Sequence, residues 1–134
     1  MLRFSVERPE GFLVVPQRTA TLAAFDPAPM ASVFFARPIE GTGTPMEPPD
    51  LEVRVFDVGA GVPLEAWLAR VGITSAGTTV EPCRSAGASG LKVCQTTLVF
   101  PGCSCFFLRG ARVYQTTAAS QEGEAMAESF VLLP

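Results

Sequence analysis

Apolar and polar positions alternate over Arg3-Phe4-Ser5-Val6-Glu7, stop at Pro9-Glu10-Gly11, and resume over Phe12 to Val15 ahead of Pro16. A period of two marks a strand and the Pro/Gly punctuation marks a turn, so the chain is expected to open with a hairpin. Thr19 to Phe25 ends at Asp26-Pro27-Ala28-Pro29 and Ala31 to Ala36 ends at Pro38, which predicts two further strands as antiparallel neighbours. Leu51, Val53 and Val55 then alternate with Glu52 and Arg54. Phe56 and Val58 break that alternation or shift it through a bulge, and 51–58 still reads as a strand.

The period changes at Pro63. Leu64, Trp67, Leu68 and Val71 repeat at i, i+3, i+4 and i+7, proline is tolerated at a helix start, and Gly72 suits the left-handed cap, so a helix is predicted over 63–71. A loop over 72–77 and a short strand over 78–83 follow. The last third predicts two hairpins running into a helix: strands at Leu91 to Val99, Ser104 to Arg109 and Arg112 to Thr117, then a helix from Ser120 to Phe130. Ser120 caps it, Glu122 and Glu124 sit near its positive pole, Ala125, Met126 and Phe130 are expected to face the sheet, and Gly123 should weaken it.

These elements make a single α+β domain over residues 1–134. A chain of this length buries one core of roughly two-thirds of its unfolded surface. The 48% apolar and 17% charged composition belongs to a folded chain. Residues 37–50 are the exception: Pro38, Pro45, Pro48 and Pro49 with Gly41 and Gly43 form a loop well beyond the typical connection of about 4 to 6 residues.

With a net charge of −3 and basic residues scattered singly, there is no stripe to neutralise a phosphate backbone, so nucleic acid is not expected as a partner. The longest apolar runs fall short of the roughly 20 residues that cross a bilayer, and no membrane span is expected. The stretch from Met1 to Phe12 has no apolar h-region and no small-residue cleavage site, which points to a cytoplasmic protein, or to an exported one whose leader was removed.

The chain contains no histidine, which excludes Ser-His-Asp and Cys-His catalysis and His-containing zinc sites. No phosphate-cradling glycine motif follows a strand, no catalytic constellation is recognisable, and no cofactor or metal is expected. Glu40, Glu47, Asp50 and Glu52 cluster around the proline loop, either as oxygen ligands for a hard cation or, more plainly, as charges that keep the loop soluble. Cys83, Cys94, Cys103 and Cys105 do not follow zinc-knuckle spacing. A turn around Ala88-Ser89 would set Cys83 opposite Cys94, a candidate disulfide. A turn at Pro101-Gly102 would leave Cys103 and Cys105 without cross-strand partners, two apart on one face. Three readings stay open: buried small hydrophobes, a Cys83–Cys94 disulfide, or a four-thiolate metal or redox site.

Strand neighbours point to opposite faces, so within Phe34-Phe35 and Phe106-Phe107 one ring faces away from the core side. Those rings, with Tyr114 across the hairpin from Phe107, either lie under helices and loop or form an interface for a partner. The order of elements carries a resemblance. A glycine-led strand (Gly90-Leu91-Lys92-Val93), a hairpin with Phe106-Phe107-Leu108, the Gly110-Ala111-Arg112-Val113-Tyr114 turn and strand, and a helix ending Glu128-Ser129-Phe130 resemble the carboxy-terminal half of the PsbP-like fold, which includes DcrB-like proteins. The helix at Pro63-Leu64-Glu65-Ala66-Trp67-Leu68 sits where that fold carries its first helix. The proline loop departs from the pattern. The resemblance implies a curved antiparallel sheet with helices packed on it, binding without catalysis and another protein as the partner, with no active-site residue to carry over. The leading expectation is therefore a non-enzymatic binding or assembly module. The alternatives are a cytoplasmic chaperone or adaptor of a secretion or injection machine, and a redox or metal protein built on the cysteines.

Overall fold

The computed structural model describes residues 2–96 and 102–134. Its strands are β1 (Phe4–Ser5), β2 (Leu13–Pro16), β3 (Ala31–Ala36), β4 (Leu51–Asp57), β5 (Thr78–Ser85), β6 (Ala88–Gln95), β7 (Cys103–Arg109), β8 (Arg112–Ala118) and β9 (Val131–Leu132). Its helices are α1 (Thr19–Leu22), α2 (Leu64–Arg70) and α3 (Gln121–Glu128). Seven strands form one antiparallel sheet in the order β2-β3-β4-β8-β7-β6-β5, and β1 pairs with β9 in a separate ribbon. The chain is a single α+β domain with an open sheet, and among the described residues no helix is long and apolar enough to cross a membrane.

Both sheet faces are covered, each by a different helix. On the first face Leu51, Val53 and Val55 of β4 pack with Val33, Phe35, Phe107 and Tyr114 against Met126 and Phe130 from the α3 segment. On the second, Phe56, Val93, Phe106 and Val113 pack against Leu64, Trp67 and Leu68. This explains the broken alternation in β4. The β4–β8 register runs without interruption from Leu51↔Ala118 to Asp57↔Arg112, so there is no bulge. Phe56 lies on the same face as Glu52 and Arg54, which becomes a core only where Trp67 covers it, ring centroids 5.1 Å apart.

Three expectations fail for identifiable reasons. β1 is extended, as its alternation requires, but pairs with β9 instead of folding back on β2. Phe4 is drawn there by Phe130 and Tyr114, at 5.5 and 6.2 Å between ring centroids, and the Tyr114 hydroxyl donates to the Leu2 carbonyl at 2.7 Å. Thr19 to Phe25 is not a strand. Thr19, Ala20 and Thr21 are exposed and only Leu22 is buried, so one helical turn serves where an alternating strand has no second apolar residue to bury. β3 therefore pairs with β2 and β4. In α3, Met126 and Phe130 are buried as expected, but Ala125 is exposed and Gly123 takes the inner position. A Cβ on Gly123 would overlap the Asp50 carbonyl oxygen, so glycine is what lets the helix lie against the start of β4.

The base of the proline loop is clasped. Asp50 is 4% exposed and accepts from the Arg37 backbone N–H at 3.2 Å, from Arg37 Nη2 at 2.9 Å and from the Ser120 hydroxyl at 2.6 Å. Ser120 also accepts from the Gly123 N–H at 3.0 Å, which makes it the predicted cap. Asp50 thus joins both ends of the loop to the start of α3.

Candidate functional site

The β5–β6 hairpin turns at Ala86-Gly87, two residues earlier than the sequence suggests, so Cys83 faces Gly90 and Cys94 faces Thr79. Tertiary contacts set that turn. The Gly87 N–H and the Ser85 hydroxyl both donate to the Phe130 carbonyl, and the Ala86 N–H to that of Glu128 at 2.7 Å. β6 and β7 pair with Cys94 opposite Cys103. Of the three readings of the cysteines, the candidate Cys83–Cys94 disulfide is replaced by two others, Cys83–Cys105 and Cys94–Cys103, and no cysteine among the described residues is free. The expected strand end at 97–99 lies outside the described residues.

Cys103 and Cys105 do share one sheet face, two apart on β7. Cys94–Cys103 staples adjacent strands. Cys83–Cys105 spans from β5 to β7 across β6, with Cα atoms 6.1 Å apart. Two flat strand spacings would separate them by about 9.5 Å, so the sheet curls at this end. On β6, Gly90 faces Cys83, and a Cβ there would strike the Phe106 carbonyl oxygen, so glycine is what allows β6 and β7 to approach so closely at this point.

The curl and α3 enclose a cleft of about 660 Å³. Its floor holds the Cys83–Cys105 bridge, Phe107 and Thr116, and its walls carry Glu81, Lys92, Glu124 and Glu128. A second concavity, about 620 Å³, lies between the β1 region and β2 and is lined mainly by Leu2, Phe4, Val6, Val14, Val33, Phe35 and Leu133. Val14 at 44% and Leu133 at 39% stay open to solvent there, and the outer edge of β2 carries no partner strand among the described residues.

Of the aromatic residues expected at an interface, Phe106, Phe107 and Tyr114 are at most 2% exposed and serve as core. Phe106 lies among the residues packed with α2, and Phe107 stacks on Phe130 at 5.2 Å, so both members of that pair are covered because both faces are. Phe35 is buried yet lines the groove, and Phe34 is half-buried on the opposite face. The acidic cluster is not brought together as a ligand set. Asp50 is held by Arg37 and Ser120, while Glu52 pairs with Arg54 and accepts from Ser32 at 2.8 Å. No group of three potential ligands is arranged for a metal among the described residues. Sequence reasoning missed the groove because Leu2, Phe4, Val14 and Leu133 come from both chain ends and from β2. It missed the cleft because the curl depends on the cystine across β6.

Burial opposes ionisation of Asp50, yet the hydrogen bonds from Ser120 and Arg37, with the Arg37 charge, hold its pKa below the ordinary value of 3.8. The same partnership raises that of Arg37. This carboxylate is a permanent anion at neutral pH and its role is to fix the loop.

The fold and its two concavities define a cystine-braced α+β domain with an open antiparallel sheet. Comparison of the chain with protein-family models, with curated proteins and with solved structures finds no match in any of the three.

Proposed function

We propose that the chain is a non-catalytic binding module whose partner is another protein, taken as an extended apolar segment along β2. The observation that carries this is the apolar groove beside an unpaired strand edge. Alternate side chains of an added strand would enter the groove lined by Phe4, Val14 and Phe35, while its backbone would satisfy the free groups of β2. The PsbP-like resemblance of the sequence implies the same class of role. Two disulfides favour an oxidising compartment, so an exported module fits better than a cytoplasmic adaptor of a secretion machine.

The test is capture of partners by the tagged, oxidised chain from its native host, with Val14→Asp and Val80→Asp compared in parallel. Val80 is 49% exposed on β5, at the opposite edge of the sheet, so both variants should fold. A stoichiometric partner held by the wild type and by Val80→Asp but lost from Val14→Asp is the expected result. A partner that survives Val14→Asp, or the absence of any partner, overturns the reading.

A further inference from the structure

The cleft between α3 and the curled β5–β7 region carries features that the fold does not need. Glu124 and Glu128 stand four apart on α3 and both line it. Like charges at that spacing repel, and Glu128 ends the helix, where the dipole disfavours an anion. Neither is in an ion pair among the described residues, although Lys92, on the cleft wall, pairs with Glu81 at 3.7 Å. The remaining basic group at the cleft is Arg84, one guanidinium against two unpaired carboxylates.

An independent observation comes from the floor. Thr116 is 4% exposed and sits in register between Val53 and Cys105, where a valine would fill the same volume. Its hydroxyl makes no hydrogen bond among the described residues and is not sealed from solvent, and the residue lines the cleft. A hydroxyl that opens on the cleft without a protein partner is free to pair with whatever occupies it. Around it the Cys83–Cys105 bridge and Phe107 offer apolar surface.

We propose that this cleft binds an alkylammonium group, with Glu124 and Glu128 as the anionic partners, the Thr116 hydroxyl as a neutral acceptor on the floor, and the methylenes lying over Phe107 and the cystine. The volume is in the range of small-molecule sites, about 300 to 1,000 Å³. Charge-assisted hydrogen bonds to two carboxylates supply the selectivity over an uncharged chain. The same chemistry is offered by a free polyamine and by a lysine side chain of a protein.

Backbone amide NMR of the oxidised full chain, titrated separately with 1,4-diaminobutane, Nα-acetyl-lysine methylamide and Nα-acetyl-norleucine methylamide, tests this. At least one amine is expected to shift Thr116, Glu124 and Ala127 saturably, while the norleucine compound does not. Glu124→Gln with Glu128→Gln should weaken that binding by about tenfold or more, the scale of one charge-assisted contact. Thr116→Val keeps the shape of the floor and should weaken it by a smaller factor. Binding of the diamine alone identifies a free amine as the source, and binding of the lysine compound alone identifies a protein side chain. Saturation by neither amine, or binding unchanged in the double glutamine variant, overturns the proposal.

Discussion

Gly123 shows how a residue's meaning depends on what it touches. Helix propensity favours alanine over glycine by about 1 kcal/mol, so Gly123→Ala would stabilise an isolated α3. Here the added methyl would strike the Asp50 carbonyl, a backbone atom that cannot rotate away. We expect a net loss of about 1 to 3 kcal/mol, the usual scale of overpacking, read as a lower urea midpoint; an unchanged or raised midpoint would refute the contact. Asp50 makes a pH-dependent contribution. Its pKa in the folded chain lies below that of the unfolded chain. The stabilisation is therefore complete above about pH 4, the unfolded carboxylate range, and is lost as pH falls through the folded value. Asp50→Asn should cost about 1.5 to 3 kcal/mol at neutral pH and flatten the acid limb of the stability profile. A parallel loss of stability in both chains below pH 4 would assign the acid limb to other carboxylates.

At the scale of elements, the two cystines do different work. Cys94–Cys103 closes a separation of 9 residues within one strand pair, whereas Cys83–Cys105 closes 22 and ties β5 to β7 over β6. The chain-entropy estimate gives each about 3 kcal/mol, with the longer loop slightly ahead. What separates them is location. Replacing Cys83 and Cys105 by serine should release the sheet edge, so amides of β5 exchange faster while β3 and β4 stay protected at the centre. Replacing Cys94 and Cys103 should leave most of β5 protected. Hydrogen exchange followed by mass spectrometry reads both, and equal protection of β5 in the two variants would contradict the account of the curl. Apolar residues bounded by turn or cap residues identified the strands β2, β3, β4, β7 and β8 and the helices α2 and α3, because those signals lie within or beside each element. The same signals misread α1, a single turn with one buried leucine and no period to detect.

For the whole molecule, helices on opposite faces of one sheet account for the paired phenylalanines. Phe106 and Phe107 serve two cores and leave neither ring for a partner. The candidate binding surfaces lie instead where the covering is incomplete: the groove at the β2 edge, and the cleft under the curled β5–β7 end. By itself the sequence determined the α+β class, the cap at Ser120, the α2 stripe around Trp67 and the common face of Cys103 and Cys105, since each depends on neighbours within a few residues. Cystine pairing, the union of the chain ends in β1 and β9, and the two concavities were decided by the tertiary structure. A shift of two in a turn leaves every side chain on its own face, so alternation cannot distinguish Cys94 opposite Cys83 from Cys94 opposite Thr79. The choice fell to distant contacts, the docking of Ala86 and Gly87 on Glu128 and Phe130, which no local pattern encodes.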